Sequence, residues 1–360
     1  METLNRSTET AATNRIIMAP ALDEFIAKLR ESESGIVRRE VESQHLKLYP
    51  DDTIQIEEGG VRAPVSNEAL TDLGRLVRIP SDYFLETCEP ELRAYSFNYL
   101  LKNTGSEHPT VSVEIESGTV SRIYPTSLIP APRLGILESV RKSLPADLDP
   151  SRVKFITHRW NGTFDVCVVS ETRTCEPQVG DVVAFGVSVA EDLNGAVQVQ
   201  AASYRLSCKN GAVNRICDNN QYRLRRPMSH TNRHDDYLRR VKALCDEAWR
   251  KWTENADNIK SLVVVPIYEE RLQELKATLR NAPFFLSAAM VNRAIARMRV
   301  EVSWRRGEPT AWDLWNALTY IGSHEESSVM MSYRLRRAAG ELAHHSARTC
   351  ATCRQIILSN

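Results

Sequence analysis

Between Tyr204 and Lys242 the chain carries Arg205, Lys209, Arg215, Arg223, Arg225, Arg226, Arg233, Arg239, Arg240 and Lys242, against only Asp218, Asp235 and Asp236. Tyr204, Tyr222, Tyr237, His230 and His234 are interleaved, and Asn210-Gly211, Asn214 and Asn219-Asn220 make the stretch rich in turn formers. Arginines neutralise backbone phosphates, and neighbouring rings stack on unpaired bases of any sequence. This combination fits single-stranded nucleic acid better than groove readout, because no recognition-helix motif accompanies it. Lys209, Arg215, Tyr222, Arg223, Arg225, Arg226, Arg233, Arg239 and Arg240 form the candidate nucleic-acid-binding set. The competing account is a solvated basic face, or arginines paired with acidic residues elsewhere in the chain.

Other groupings of reactive side chains read differently. Cys350-Ala-Thr-Cys353 has metal-ligand spacing, with His344-His345 just upstream and Cys217 as a conceivable fourth ligand. A structural zinc needs four converging ligands and a second CxxC is missing, so no metal is assigned. Thr349 rather than proline precedes Cys350, which leaves the zinc-deaminase pattern incomplete. Asp235-Asp236 and Glu325-Glu326 are adjacent carboxylates that diverge by about 100° on a helix, so neither doublet aims at one ion. Both read as helix-start acids favoured by the macrodipole. His158-Arg159-Trp160 has no identifiable partner. Trp312 and Trp315 are three apart, the spacing of core aromatics, although with Trp304 and Tyr320 they would also make a stacking platform. Arg334, Arg336 and Arg337 would extend the positive face if they share its side. Phosphate loops, Rossmann glycine fingerprints, HExxH and GxSxG are absent, and no cofactor is assigned.

The 360 residues hold 46 Lys plus Arg and 46 Asp plus Glu, with 42% hydrophobic and 26% charged residues, an ordinary globular composition. The zero net charge conceals a division. Residues 1–204 hold 20 basic and 30 acidic side chains, and 205–360 hold 26 and 16, a net −10 beside a net +10. Such asymmetry between halves is a signature of nucleic-acid or anionic-surface contact. The N-terminal stretch lacks the apolar core of a secretory signal, and the nearest apolar run, Ser261–Ile267, is too short for a membrane span. The expectation is a cytoplasmic protein without membrane contact whose eight cysteines are reduced thiols.

These side chains need elements to position them. Leu22, Phe25, Ile26 and Leu29 mark a first amphipathic helix, and Leu46-Lys-Leu-Tyr and Thr53-Ile-Gln-Ile-Glu a small hairpin across Pro50-Asp-Asp. Ser66 reads as the N-cap of a helix that Ile79-Pro80 breaks, and a further helix runs over Glu91–Lys102. From Val111 the period becomes 2, with a hairpin turn at Ser117-Gly118 and others at Asn161-Gly162 and Asn194-Gly195. One meandering antiparallel sheet is expected over 108–215, interrupted by a helix at Arg133–Leu144. After His234 the chain turns helical through His344, with Thr310 and Asp313 forming a capping box. The fold class is α+β, an antiparallel meandering sheet flanked by N-terminal and C-terminal helices. Its parts are a mostly helical 1–105, a β-rich 106–232, a helical 233–345 and a tail, 346–360.

Arg205-Leu-Ser-Cys208-Lys-Asn210-Gly211, a strand ending in a cysteine and an Asn-Gly turn, resembles a phage/plasmid-like protein family known only as a domain of unknown function. Ser66-Asn-Glu-Ala69-Leu-Thr-Asp-Leu73 through Ile79-Pro80-Ser-Asp-Tyr83 is similar to it, as is Trp312-Asp-Leu-Trp-Asn316-Ala-Leu-Thr319 with Ala339-Gly340-Glu-Leu342. Together the motifs bracket about residues 60–345, and their shared order carries the resemblance; Ser207 and Lys209 depart from the family pattern. The resemblance implies carriage by phages, plasmids and other mobile elements and an α+β fold, and it brings no catalytic residues. The expected function is nucleic-acid binding, as a homo-oligomeric single-strand binding or annealing factor. The alternatives are a metal-dependent nuclease or nucleotide-modifying enzyme using acids such as Asp165 and Asp181, and a phage structural or host-interaction protein.

Overall fold

Several element boundaries are set by local chemistry. The Ser66 hydroxyl accepts the Ala69 amide at 3.1 Å and caps the helix that follows. The Asp313 carboxylate accepts both the Thr310 amide at 2.8 Å and the Thr310 hydroxyl at 2.9 Å, closing the capping box. Ser117 and Gly118 both have positive φ, 50° and 81°, as the tight turn of a hairpin requires.

The computed structural model describes residues 17–18, 22–80, 83–84, 88–104, 108–126, 133–157, 165–191, 197–206, 210–214, 223–224, 232–305, 308–325 and 329–347. Its helices are α1 (Leu22–Ser34), α2 (Asn67–Leu76), α3 (Pro90–Thr104), α4 (Arg133–Lys142), α5 (Asn232–Arg250), α6 (Trp252–Ser261), α7 (Leu272–Arg280), α8 (Ala288–Arg305), α9 (Ala311–Tyr320) and α10 (Val329–Ala347). The strands β1 (Ile17–Met18), β8 (Val153–Thr157), β9 (Asp165–Cys175), β10 (Val183–Glu191), β11 (Val197–Arg205) and β12 (Asn210–Asn214) lie side by side in that order, and β13 (Arg223–Leu224) also pairs with β11. Two three-stranded sheets accompany this main sheet, β2 (Val37–Glu42) with β6 (Thr110–Glu116) and β7 (Thr119–Pro125), and β3 (Lys47–Leu48) with β4 (Thr53–Gln55) and β5 (Arg62–Pro64). All named strand pairs are antiparallel, so the chain is a mixed α+β protein.

The single sheet expected over 108–215 is divided in two. The Ser117-Gly118 hairpin pairs with β2, and the meander starts again at β8. The reason lies in β2, whose Val-Arg-Arg-Glu-Val-Glu run buries only Val41 and so carries no alternation to read. The resulting N-terminal core is built wholly from residues between Val41 and Ile123, with Leu48, Ile54, Leu70, Leu73, Phe84 and Phe97 at its centre. α1, which precedes it in the chain, packs instead with α4, α5 and one face of the main sheet, through Leu22, Ile26, Ile136, Leu137, Val241 and Trp249. Residues 37–126 are thus inserted between α1 and α4, two helices that share another core. α6 to α10 pack around Trp312, Trp315, Leu318 and Leu335 and against β10 and β12.

Asp72 organises the inserted unit electrostatically. Its carboxylate accepts the Arg122 Nε at 2.6 Å, the Ile123 amide at 3.2 Å and the Arg75 guanidinium at 3.3 Å. Beside it, Glu114 accepts the Arg38 Nε at 2.8 Å and the Tyr124 hydroxyl at 3.0 Å. Burial, and then the negative charge of Glu114, push the Tyr124 phenol well above its ordinary value.

Candidate nucleic-acid interface

The strand register brings several chain ends to one end of the main sheet. Thr157 pairs with Val166, Asp165 with Ala190, Glu191 with Val197, and Val197 with Leu224. The described ends that bracket 158–164 and 192–196 therefore meet there beside Leu224, while β12 runs toward this end and stops four residues short of it, with Asn214 opposite Ala201. Arg223 sits in this array, its backbone in register with Gln198. α5 begins eight residues after Leu224, with Arg233 in its first turn, and its last turn is held near the opposite end, where Arg173 donates to the Trp249 carbonyl at 3.0 Å.

Beside β13 a polar group lines the sheet. Val197, Val199 and Ala201 face the core under α5, so the strand alternation turns Gln198 and Gln200 to the other face. There the Tyr333 hydroxyl of α10 hydrogen-bonds Gln198 and, at 2.9 Å, Gln200. Tyr204 follows two pairs on, buried, its hydroxyl without a hydrogen-bond partner among the described residues. Burial pushes this phenol well above its ordinary value, and the nearby Arg336 guanidinium acts in the opposite sense. Gln198, Gln200 and Tyr333 were not singled out from sequence. The glutamines had a signal, polar residues alternating with valines in a strand, whereas a tyrosine more than a hundred residues later had none.

The basic set divides when placed on the fold. Lys209, Arg215, Tyr222, Arg225 and Arg226 lie outside the described residues, as do His158-Arg159-Trp160, Asn161-Gly162, Asn194-Gly195, Cys217, His230, Glu326, Cys350 and Cys353. Arg239 and Arg240 are exposed on α5; Arg239 is paired with Asp236, and Arg240 forms no ion pair with a described residue. Lys242 pairs with Asp246 at 2.8 Å. Asp235 is exposed, and Glu325 pairs with Arg293 at 3.7 Å.

Arg205 departs from the expectation of an outward cation. It grips Asp181 through two nitrogens, donates to the Asn316 amide oxygen at 3.2 Å and lies 5.9 Å from the Trp312 ring, with only 13% of its side chain exposed. It joins the sheet to α9. Arg205→Ala is expected to lower unfolding stability by about 1–2 kcal/mol, because it removes the cation that partly buried Asp181 and Asn316 share, while the salt dependence of any oligonucleotide binding stays unchanged; urea denaturation and binding titrations measure the two.

Tyr204 and Tyr237 are core residues and offer no ring to a base. Trp312 and Trp315 stack on each other at 5.0 Å inside the helical core, as their spacing predicted, and Arg336 is buried rather than part of a positive surface. Arg334 is exposed and Arg337 lies 3.8 Å from Glu341. Asn210-Gly211 is not a turn: both residues open β12, with Gly211 in register with Tyr204 and Asn210 with Arg205. Asp165 and Asp181 lie at opposite ends of the β9–β10 hairpin, roughly 30 Å apart along the strands, and Asp181 is bound by Arg205. Among the described residues no cluster of three or more His, Cys, Asp or Glu could hold a metal, and no helix is long and apolar enough to cross a membrane. Cys88, Cys167, Cys175 and Cys245 are buried free thiols; burial pushes Cys175 up to about 11 and Cys245 up to about 12.

No family model, curated protein or solved structure matches this chain.

Proposed function

We propose that the protein binds single-stranded nucleic acid at the Val197 end of its main sheet, as a mobile-element-associated binding or annealing factor. One observation carries this reading: the register that gathers Thr157, Asp165, Glu191, Val197 and Arg223 at one end of the sheet. The sequence between Thr157 and Asp165 holds Arg159 and Trp160, and that between Asn214 and α5 holds Arg215, Tyr222, Arg225 and Arg226 against the single acid Asp218. Cations for phosphates and rings for bases thus occur in the stretches of sequence that leave this part of the sheet. Arg240, exposed on the helix that follows, extends the charge. The mobile-element context rests on the ordered motif resemblance alone.

The test is titration of a fluorescent single-stranded oligonucleotide at several salt concentrations. Affinity is expected to fall steeply with salt. Charge reversal of Arg223, Arg225 and Arg226 together is expected to weaken binding more than tenfold. It should also flatten the plot of log K against log salt by about two units, at about 0.7 per single-strand phosphate contact. Absence of binding at low salt, or an unaltered slope in the triple variant, would overturn the proposal.

A further inference from the structure

α3 is apolar on two opposite sides. Ala94, Phe97 and Leu101 enter the N-terminal core, and the Asn98 amide fixes the helix to β3 by accepting the Leu48 amide at 2.9 Å and donating to the Leu48 carbonyl at 2.8 Å. The other side presents Leu92, Tyr95 and Tyr99, which are 48%, 67% and 56% exposed. Their spacing of three and four residues makes a continuous seam on one face, the pattern of a helix awaiting a helix. Single exposed apolar residues need no explanation, but a seam of three on a well-anchored helix does.

The ends of the seam carry opposite charge. Glu91 and Lys102 are exposed, and neither forms an ion pair with a described residue. Eleven residues at about 100° each bring them to within roughly 20° of each other on the same edge of the helix, about 16 Å apart along it. A second α3 laid antiparallel across a two-fold axis near Phe97 would set Tyr95 against Tyr99 of its mate. The same operation would set Glu91 against Lys102 at both ends. A two-fold interface must be self-complementary in this way, each residue meeting its counterpart twice.

We propose that this face is the self-association surface of the protein, an antiparallel α3–α3 contact between two copies. The two rings favour this over a stack of bases. They already lie against each other at 6.0 Å with planes 17° apart, and Glu89 and Glu91 place negative charge where a phosphate would run. The seam alone is smaller than a standard interface, so the dimer is expected to form reversibly, with a dissociation constant on the order of micromolar.

Sedimentation velocity over about a hundredfold range of concentration reads the result. Wild-type protein is expected to shift from monomer to dimer, and Tyr99→Asp to raise the dissociation constant at least tenfold with an unchanged circular dichroism spectrum. Glu91→Lys and Lys102→Glu should each weaken self-association, whereas an equimolar mixture of the two should dimerise as wild type does, because each variant supplies the charge the other lacks. A chain that stays monomeric, a Tyr99→Asp variant that dimerises normally, or a mixture no stronger than its components would overturn the proposal. So would loss of oligonucleotide affinity in Tyr99→Asp at unchanged mass, which would assign the rings to bases. Dimerisation without any nucleic-acid binding would leave this proposal standing and remove the previous one.

Discussion

Replacing Asp72 with alanine is expected to unfold the inserted N-terminal core while the tryptophan-rich remainder stays folded. The carboxylate is 6% exposed and its partner Arg122 is 7% exposed. Removing it takes the hydrogen-bonded carboxylate from a buried guanidinium, leaving Glu114 as a nearby acid, and also frees the Ile123 amide and one partner of Arg75. Breaking a buried pair from one side costs about 3–5 kcal/mol, a large share of what a unit of roughly 90 residues possesses at about 0.05–0.15 kcal/mol per residue. All six tryptophans lie between Trp160 and Trp315, so their fluorescence does not report on this unit. Hydrogen exchange does: peptides covering 69–123 should lose protection in Asp72→Ala, while tryptophan fluorescence still unfolds cooperatively. The double variant Asp72→Leu/Arg122→Met, which removes both charges, should recover much of the loss. Retention of full protection in Asp72→Ala would show that the pair contributes little.

The second large effect is expected at Gly186, in the middle of β10. A Cβ there would come 1.8 Å from the Val168 carbonyl oxygen and 2.7 Å from the Val169 Cα. Both are backbone atoms of the neighbouring strand, so no side-chain rotation makes room. The close approach adjoins the bulge at which β9 shifts register, Phe185 pairing with Ser170 and Ala184 with Thr174. Gly186→Ala must push the central strands apart, at a cost at or above the upper end of the usual 1–3 kcal/mol for overpacking, about 3 kcal/mol or more. Thermal unfolding followed by tryptophan fluorescence should report a fall in Tm of several degrees at least. Gly180, whose added Cβ would meet nothing within 4 Å, tests strain from its φ of +85° alone and should cost less.

Much of the fold was legible because its signals are local. The Ser66 cap, the Thr310–Asp313 box, the Ser117-Gly118 turn and the periodicity of α5 and α9 each depend on residues a few positions apart. Sheet partition was not legible, since it turns on β2, a charged edge strand with one buried side chain. For the candidate interface, charge counting found the basic segment but not the fate of its members. Arg205 looked like its neighbours in sequence, yet its partners are Asp181, across a hairpin, and Asn316, more than a hundred residues away. A cation's partner is a property of topology, which composition does not carry.

The insertion of 37–126 between α1 and α4 has a consequence for how the two cores communicate. Unfolded, about 90 residues behave as a loose tether whose ends wander roughly 50 Å apart. Folded, they hold Val37 and Pro125 at offset positions of one small sheet, both referenced to β6, only about 16 Å apart. The folded insert therefore acts as a short clasp on the loop that joins α1 to α4. With closure entropy growing as about (3/2)RT ln n, shrinking the effective loop tenfold contributes about 2 kcal/mol to the docking of α1. The two cores are thus thermodynamic neighbours through chain entropy, so that loss of the first loosens α1 from the second without breaking any contact between them.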